Sequence, residues 1–371
     1  MRKLIPVVFA ACLIAGAALK QNGEFLNAML KVNSAVPLPL LDDLYIDRGV
    51  YVMRENGTKY IVSIAPETSC EFEAEQLTEL FEYASAQNTD FLYVNAPCKC
   101  LLDDSIVSEY FGISSYSNAN ADRLFAMLRE CGVPYLDLRE NVKAEGKDIL
   151  DLFYRMDHHW RAETGLWAVG LTADELNARY SFGLDTACFS PDYYSIKVLK
   201  DAWIGEQGQL FSSAYAGYDS FTVIQPNQNG NYSVQSLGEN DSLNHAGDFS
   251  ILLDPCLMNE DPSDDAPGHY AYCPHNLYDM RYINQDLPDG KKILLLCDSF
   301  SNVTVPFLLQ GVRQIDTAIL RTSSCDVKQM LAENDYDAVI VLYSQAMIGA
   351  HDDCGSANYK MFDFFSSDES A

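Results

Sequence analysis

Basic residues are scarce in this chain: 25 Lys and Arg stand against 53 Asp and Glu in 371 residues, a formal net charge of −28. A surface this acidic repels phosphate backbones and anionic headgroups, which excludes broad electrostatic binding to nucleic acid or to a membrane face. Solubility alone accounts for most of the charge. The chain also lacks a phosphate-cradling glycine loop and a basic stripe interleaved with aromatics. Internal repeats and low-complexity tracts are absent. His245, His269, His275 and His351 show no metal-ligand spacing, so neither a metal nor any other cofactor is expected. Beyond the N-terminus, no stretch is long and apolar enough to cross a bilayer.

What is present begins with an export signature. Arg2 and Lys3 precede an apolar run from Leu4 to Ile14, and Ala15-Gly16-Ala17 follows with the small residues that signal peptidase favours. Residues 1–18 therefore read as a cleaved secretory signal, with an uncleaved N-terminal anchor as the alternative. An anchor would be the chain's one contact with a membrane, and the expected location is extracytoplasmic. Cys12 does not make a lipobox, because Phe9 stands where Leu or Val is wanted. The cysteine count is 11, high enough for disulfides in an exported protein, although spacing does not reveal connectivity. Cys98-x-Cys100 has the wrong spacing for a zinc knuckle or a thioredoxin motif, and Cys297 reads as a buried free thiol in an apolar strand.

Apolar runs alternate with amphipathic ones along most of the chain. Leu77, Leu80, Phe81 and Ala84 fall at helical spacing behind a possible Ser69 cap, and an extended Phe91–Val94 follows. Leu124, Met127, Leu128 and Cys131 mark a second helix stopped by Gly132, before a strand over Val133–Leu138. Ala162, Leu166, Val169, Ala173 and Leu176 share one face of a third helix. Further on come a strand at Lys292–Cys297, a helix around Val303–Leu309 and an extended Ile315–Leu320. A short helix capped by Asp326 and a final strand at Asp337–Leu342 complete the series. Uniformly apolar strands between amphipathic helices imply a mainly parallel sheet covered on both faces. The rhythm breaks at about 181–290, a Tyr-, Asn-, Gly- and Asp-rich stretch with β-like pieces at Ser220–Ile224 and Phe249–Leu253. It reads as an insertion or β-rich cap on a single α/β domain spanning 40–371.

Two segments carry chemistry. In Tyr154-Arg-Met-Asp-His-His-Trp160, residues two apart on extended backbone point the same way, so Asp157 and His159 share a side that His158 does not. A carboxylate beside an imidazole fixes its tautomer and stabilises the imidazolium formed during proton transfer. Taken alone, the segment reads more readily as an Asp helix cap beside a loop histidine. In Leu294-Leu-Leu-Cys-Asp-Ser-Phe300, an apolar strand runs into a helix start and places Ser299 at the C-terminal edge of the sheet. Ligands bind at that edge in open α/β folds, and the helix start offers free N–H groups to an oxyanion. A plain helix N-cap is the commoner use of such a serine.

Together the two segments resemble the DHHW family of bacterial exported proteins. These are relatives of the alginate O-acetylation proteins in the wider SGNH-hydrolase-like group. Phe91-Leu-Tyr-Val-Asn-Ala-Pro-Cys-Lys99 is similar to that family's strand ending in Pro-x-Lys, and Gly132–Leu138 to the strand before its His-containing loop. Trp203-Ile-Gly-Glu-Gln-Gly208 and Tyr215–Phe221 are similar to its insertion. The resemblance implies a flavodoxin-like three-layer α/β sandwich with a catalytic Asp157, His159 and Ser299. It further implies an acetyltransferase or acetylesterase acting on carbohydrate through an acyl-serine, with a membrane acyl-donor protein as a possible partner. Cys297 departs from the family's Gly-Asp-Ser version, and Arg161 stands in place of a capping Thr. Asn302 and Asn95 are candidate oxyanion donors, and Arg321 is a candidate for orienting substrate. A glycan-binding protein that keeps the fold without the chemistry is the rival reading.

Overall fold

The structure, a computed structural model, describes residues 45–47 and 50–365, apart from 56, 211–212, 239, 255–270, 277 and 324. The expected leader at 1–18 lies outside the described residues. Among the described residues, no helix is long and apolar enough to cross a membrane.

A small antiparallel sheet comes first, formed by β1 (Tyr45–Asp47), β2 (Val50–Glu55) and β3 (Thr58–Ser63). Helix α1 (Glu71–Ala86) buries Leu77, Leu80 and Ala84 along one stripe. Cys70, in a left-handed conformation (φ 61°), occupies the N-cap, while the Ser69 hydroxyl accepts from the first helical N–H, that of Glu71, at 3.4 Å. Strand β4 (Asp90–Ala96) follows, then α2 (Asp104–Phe111) and α3 (Ser117–Cys131), which ends at Gly132 as expected. The next strand, β5, is cut to Tyr135–Asp137, because the Asp137 carboxylate accepts from Arg139 N–H and caps α4 (Leu138–Glu145). Helix α5 (Ala162–Tyr180) buries the whole apolar face read from its spacing.

The stretch at 181–290 divides into two parts. Strands β6 (Tyr194–Trp203) and β7 (Asp219–Pro226) form a separate antiparallel ribbon. Strands β8 (Tyr232–Ser236), β9 (His245–Gly247) and β10 (Met280–Asn284) instead join the central sheet. The β-like piece expected at Phe249–Leu253 is a 3-10 turn, Phe249–Leu252, because Asp248 caps the Ser250 N–H at 3.0 Å. Strand β11 (Lys292–Cys297) then leads through a 3-10 turn, Ser299–Val303, into the short helix α6 (Val305–Leu308). Strand β12 (Gln314–Ala318), helix α7 (Val327–Glu333) and strand β13 (Ala338–Ser344) follow. Asp326 caps α7 as expected, accepting from Gln329 N–H at 3.0 Å.

The central sheet has eight strands in the order β5-β4-β13-β11-β12-β10-β8-β9. The first five are mutually parallel, and the remaining three add on antiparallel. Burial of β13 and of β11 beyond Lys292 explains why their sequences read as nearly unbroken apolar runs. This is the mainly parallel α/β sandwich expected from the sequence. The chain leaves β11 for β12 on one side and returns to β13 on the other, so the order reverses beside β11. A crevice opens at such a reversal, outside the carboxyl ends of the strands.

One buried ion pair ties the β5 edge. Arg139 reaches Asp137 at 2.7 Å with both side chains nearly inaccessible, while its second partner, Asp122, is largely exposed. Removing the guanidinium strands a buried carboxylate, whereas the Asp122 contact is worth little. Arg139→Leu should therefore lower stability by about 3–5 kcal/mol, read as a shift in the urea unfolding midpoint. A shift no larger than that of Asp122→Ala would refute it.

Candidate active site

Ser299 opens the 3-10 turn directly after β11, at the strand reversal. Asp298 holds that turn: its buried carboxylate accepts from Phe300 N–H at 2.9 Å and from Ser344 N–H, at the end of β13, at 2.7 Å. Burial raises the Asp298 carboxyl, and these two N–H groups and the field of Arg321 oppose the rise. Helix α5 lies directly on the same turn. A Cβ at Gly165 would sit 2.4 Å from the Val303 carbonyl, so this approach needs glycine. The close packing brings the loop ahead of α5 to the serine. Trp160 secures the junction by donating its indole N–H to the Phe300 carbonyl at 2.9 Å.

That loop delivers the other two residues. The Asp157 Oδ1 lies 2.7 Å from His159 Nδ1, and His159 Nε2 lies 2.7 Å from Ser299 Oγ. The structure thus brings Asp157, His159 and Ser299 into one hydrogen-bonded line. Asp157 and His159 are fully buried, and Ser299 keeps 9% exposure. Burial pushes His159 down to about 4, with repulsion from His158 adding to the effect and Asp157 opposing it. At neutral pH the imidazole is therefore uncharged and can accept a proton. His158 does not take the opposite side that extended backbone predicts: the segment runs in bends, its ring centroid lies 3.7 Å from that of His159, and its Nδ1 is 2.8 Å from Gln207 Nε2.

The other candidates are distributed around this line. Asn302 lies one 3-10 turn beyond Ser299, and residues three apart eclipse in such a turn. Its Oδ1 accepts from Asn276 Nδ2 at 3.2 Å, and Asn276 Oδ1 in turn accepts from Tyr282 at 3.4 Å. This chain of bonds orients the amide and leaves Asn302 Nδ2 buried without a partner. Asn95 donates instead to Asp137 at 3.1 Å, on the β4–β5 side. Half-buried Arg321 follows β12 and donates to Asn358 at 3.0 Å, and its charge acts on both His159 and Glu206.

The segment Trp203–Gly208, read only as part of an insertion, is built into the site. Trp203 Nε1 and Glu206 N–H donate to Asp157 Oδ2 at 3.1 and 2.9 Å, while His159 N–H donates to Oδ1 at 2.8 Å. Gln207 Oε1 accepts from His158 N–H at 3.1 Å, and Gly208 N–H donates to the Met156 carbonyl at 2.9 Å. The available signal was a tryptophan and two glycines in an otherwise polar stretch. It did not reveal which loop they would grip. Glu206 Oε2 is buried 3.8 Å from Nδ1 of both histidines, and burial raises its carboxyl.

Asp157, His158, His159 and Glu206 each bring one potential metal-ligand atom within 4.8 Å of the others. A resident ion would have to displace existing bonds, because His159 already faces Asp157 and Ser299, and His158 faces Gln207. Gly205 makes the grip possible, with φ +87° and a virtual Cβ only 2.1 Å from the Met156 carbonyl. Gly205→Ala should cost roughly 2 kcal/mol or more of stability and loosen Asp157. A variant with an unchanged urea midpoint would contradict this.

Residues 62–187 match the family model described as an SGNH hydrolase-like domain, acetyltransferase AlgX. A search of curated proteins found no match. Among solved structures, a DHHW family protein from Eubacterium siraeum aligns with a TM-score of 0.66 at 13% identity, over 88% of this chain and 98% of that one. Bacillus cereus PatB1, solved with a sulfonyl adduct, aligns with a TM-score of 0.65 at 15% identity, over 87% of this chain and 99% of that one. Residues 62–187 are therefore similar to the SGNH hydrolase-like domain of the acetyltransferase AlgX model, and the chain shares its fold with the DHHW family protein and PatB1.

Proposed function

We propose that this protein is an extracytoplasmic carbohydrate O-acetyltransferase or acetylesterase working through an acyl-serine. The observation that carries the reading is the continuous line from Asp157 through His159 to Ser299, with both links at 2.7 Å. Ser299 Oγ attacks the acyl carbonyl while His159 Nε2 takes its proton. The imidazolium so formed is stabilised by Asp157. The tetrahedral intermediate collapses, the leaving alkoxide takes the proton from His159, and acyl-Ser299 remains. A sugar hydroxyl or water then gives its proton to His159 and attacks the acyl carbonyl, and as the acyl–Oγ bond breaks His159 returns that proton to Ser299 Oγ. The acyl donor is an ester, delivered in the transferase case by a partner at the membrane.

Two groups are placed to receive the developing oxyanion. The Ser299 N–H begins a helical turn and has no intrahelical acceptor. Asn302 Nδ2 is the second, since a buried donor without a partner gains most from a charge that appears only in the transition state. Cys297 does not obstruct this arrangement: its side chain is inside the sheet core, and burial pushes its thiol up to about 12, leaving it inert. The AlgX family match supports acetyl transfer, and the acidic surface favours a neutral acceptor over a polyanion.

A chromogenic acetyl ester and a sulfonyl fluoride test the reading on the same preparation. Wild type should turn over the ester and gain one sulfonyl group on Ser299, and Ser299→Ala should do neither. Asn302→Ala should keep the label site but lose about a hundredfold or more in kcat. Equal turnover by wild type and Ser299→Ala would end the serine mechanism and favour the glycan-binding alternative.

The pH profile gives a separate check. His159 must be neutral to act as base, and its proton is held only below about 4 rather than at the ordinary 6.5. The acidic limb of kcat/KM should therefore stay flat through pH 6.5 and fall only as pH approaches 4. A midpoint at the ordinary histidine value would show that the imidazole is not held in this environment.

A further inference from the structure

Beneath the Asp157–His159 loop lies a fully buried ammonium that the mechanism above does not use. Lys99, two residues past Pro97 at the end of β4, is 1% exposed. Its Nζ donates to the Tyr154 carbonyl and, at 2.6 Å, to the Arg155 carbonyl, which lies two residues ahead of Asp157. Strand β3 stitches the same unit together. Ile61 N–H donates to the Arg155 carbonyl at 2.8 Å, and Ser63 N–H donates to the Lys99 carbonyl at 2.9 Å. Lys99 therefore joins three segments distant in sequence at the root of the loop.

Burying an ammonium is costly even when its protons find partners, and burial pulls Lys99 down to about 7, so its charge is complete on the acidic side of neutrality. The charged groups facing Lys99 are Asp219 of β7, then Asp157, with Arg161 and Arg155 adding repulsion. Arg155 and Arg161 are partly exposed and lean on Asp219, at 2.9 and 3.7 Å. To the hydrogen bonds that Asp157 accepts from Trp203, Glu206 and His159, Lys99 adds a favourable field.

We propose that Lys99 is the positioning residue of the site, fixing the backbone that carries Asp157 and His159 and supplying the buried counter-charge for the Asp157 carboxylate. This proposal rests on the acyl-serine reading for its kinetic consequences and on geometry alone for the rest. A methionine of similar length would leave the Tyr154 carbonyl without this donor and Asp157 without this charge. Loosening the loop misplaces His159 against Ser299, and a displacement of about 1 Å at such a contact costs on the order of a hundredfold in rate. Losing the positive charge makes Asp157 harder to ionise and His159 easier to protonate. Both effects move the acidic limb of the pH profile upward.

The test compares the full chain with Lys99→Met, using ester turnover across pH, sulfonyl labelling of Ser299 and thermal melting. In folded Lys99→Met, kcat and labelling rate should fall about ten- to a hundredfold with KM within about twofold, and the acidic limb should rise by about one pH unit. A folded variant with wild-type kcat and an unmoved limb overturns the proposal. Should the methionine variant fail to fold, Lys99→Ala is assayed with added n-butylamine. Rescue by the amine and not by n-butanol supports the proposal, and no rescue overturns it. If wild type itself shows neither turnover nor labelling, the acyl-serine reading has failed. Lys99 is then judged by the low-field NMR signal of the His159 Nδ1 proton bonded to Asp157. Loss of that signal in Lys99→Met supports positioning, and its retention overturns it.

Discussion

The buried carboxylate of Asp157 is the constraint around which the site is organised. A carboxylate with no solvent exposure is tolerable only if its lone pairs are filled and its charge is opposed. The chain meets the first need with donors from its own loop and from Trp203 and Glu206, more than forty residues onward. The same bonds that make the burial possible determine where the carboxylate points. Since Asp157 holds His159 Nδ1, they also determine where His159 Nε2 points. The stability requirement of one acid thus becomes the geometric precision of the imidazole.

The two halves of the line are held in different ways. Ser299 follows β11, a strand paired on both sides in a close-packed sheet, so its position is a property of the core. His159 sits in a loop of turns and bends with little regular structure of its own. Its placement is borrowed from neighbours: α5 against Val303 through Gly165, Trp160 on Phe300, and the Trp203–Gly208 segment around Met156 and Asp157. This explains why Gly165 and Gly205 are sterically required. At each, the space a side chain would occupy is filled by backbone.

The sheet and the pairing of Asp157 with His159 were legible in the sequence because each rests on a short, local regularity. Nearly unbroken apolar runs announce β11 and β13, and the spacing of Ala162, Leu166, Val169, Ala173 and Leu176 announces α5. The D-x-H spacing picked out His159 as the partner of Asp157, although the segment runs in bends and leaves His158 beside it. What sequence did not disclose was long-range placement. Strands β8, β9 and β10 lie in a polar stretch that looks like an appended cap, yet their ladder bonds extend the central sheet. The Phe249–Leu253 piece misled because alternating apolar residues cannot outweigh an Asp that caps the backbone directly. Trp203, Glu206, Gln207 and Lys99 were invisible as site residues because their partners are fixed only by the closed fold.

The departure at Cys297 shows how sequence position and chemical role come apart. Two residues ahead of Ser299 in the chain, a thiol in place of glycine suggests crowding of the serine. The strand's alternation sends the side chains of adjacent residues to opposite sides, and Cys297 ends β11 with no exposure, while Ser299, two residues on, has already left the ladder for a helical turn. Asp298, the residue between them, does the turning: its carboxylate binds Phe300 N–H ahead and Ser344 N–H on the adjoining strand's end. The bulk at 297 is therefore absorbed by the sheet core, and the space above Ser299 is shaped instead by the residues that follow it. In this chain Asp298 closes the turn through hydrogen bonds to Phe300 N–H and Ser344 N–H, with the buried Cys297 thiol bonded to Ser301 of the same turn.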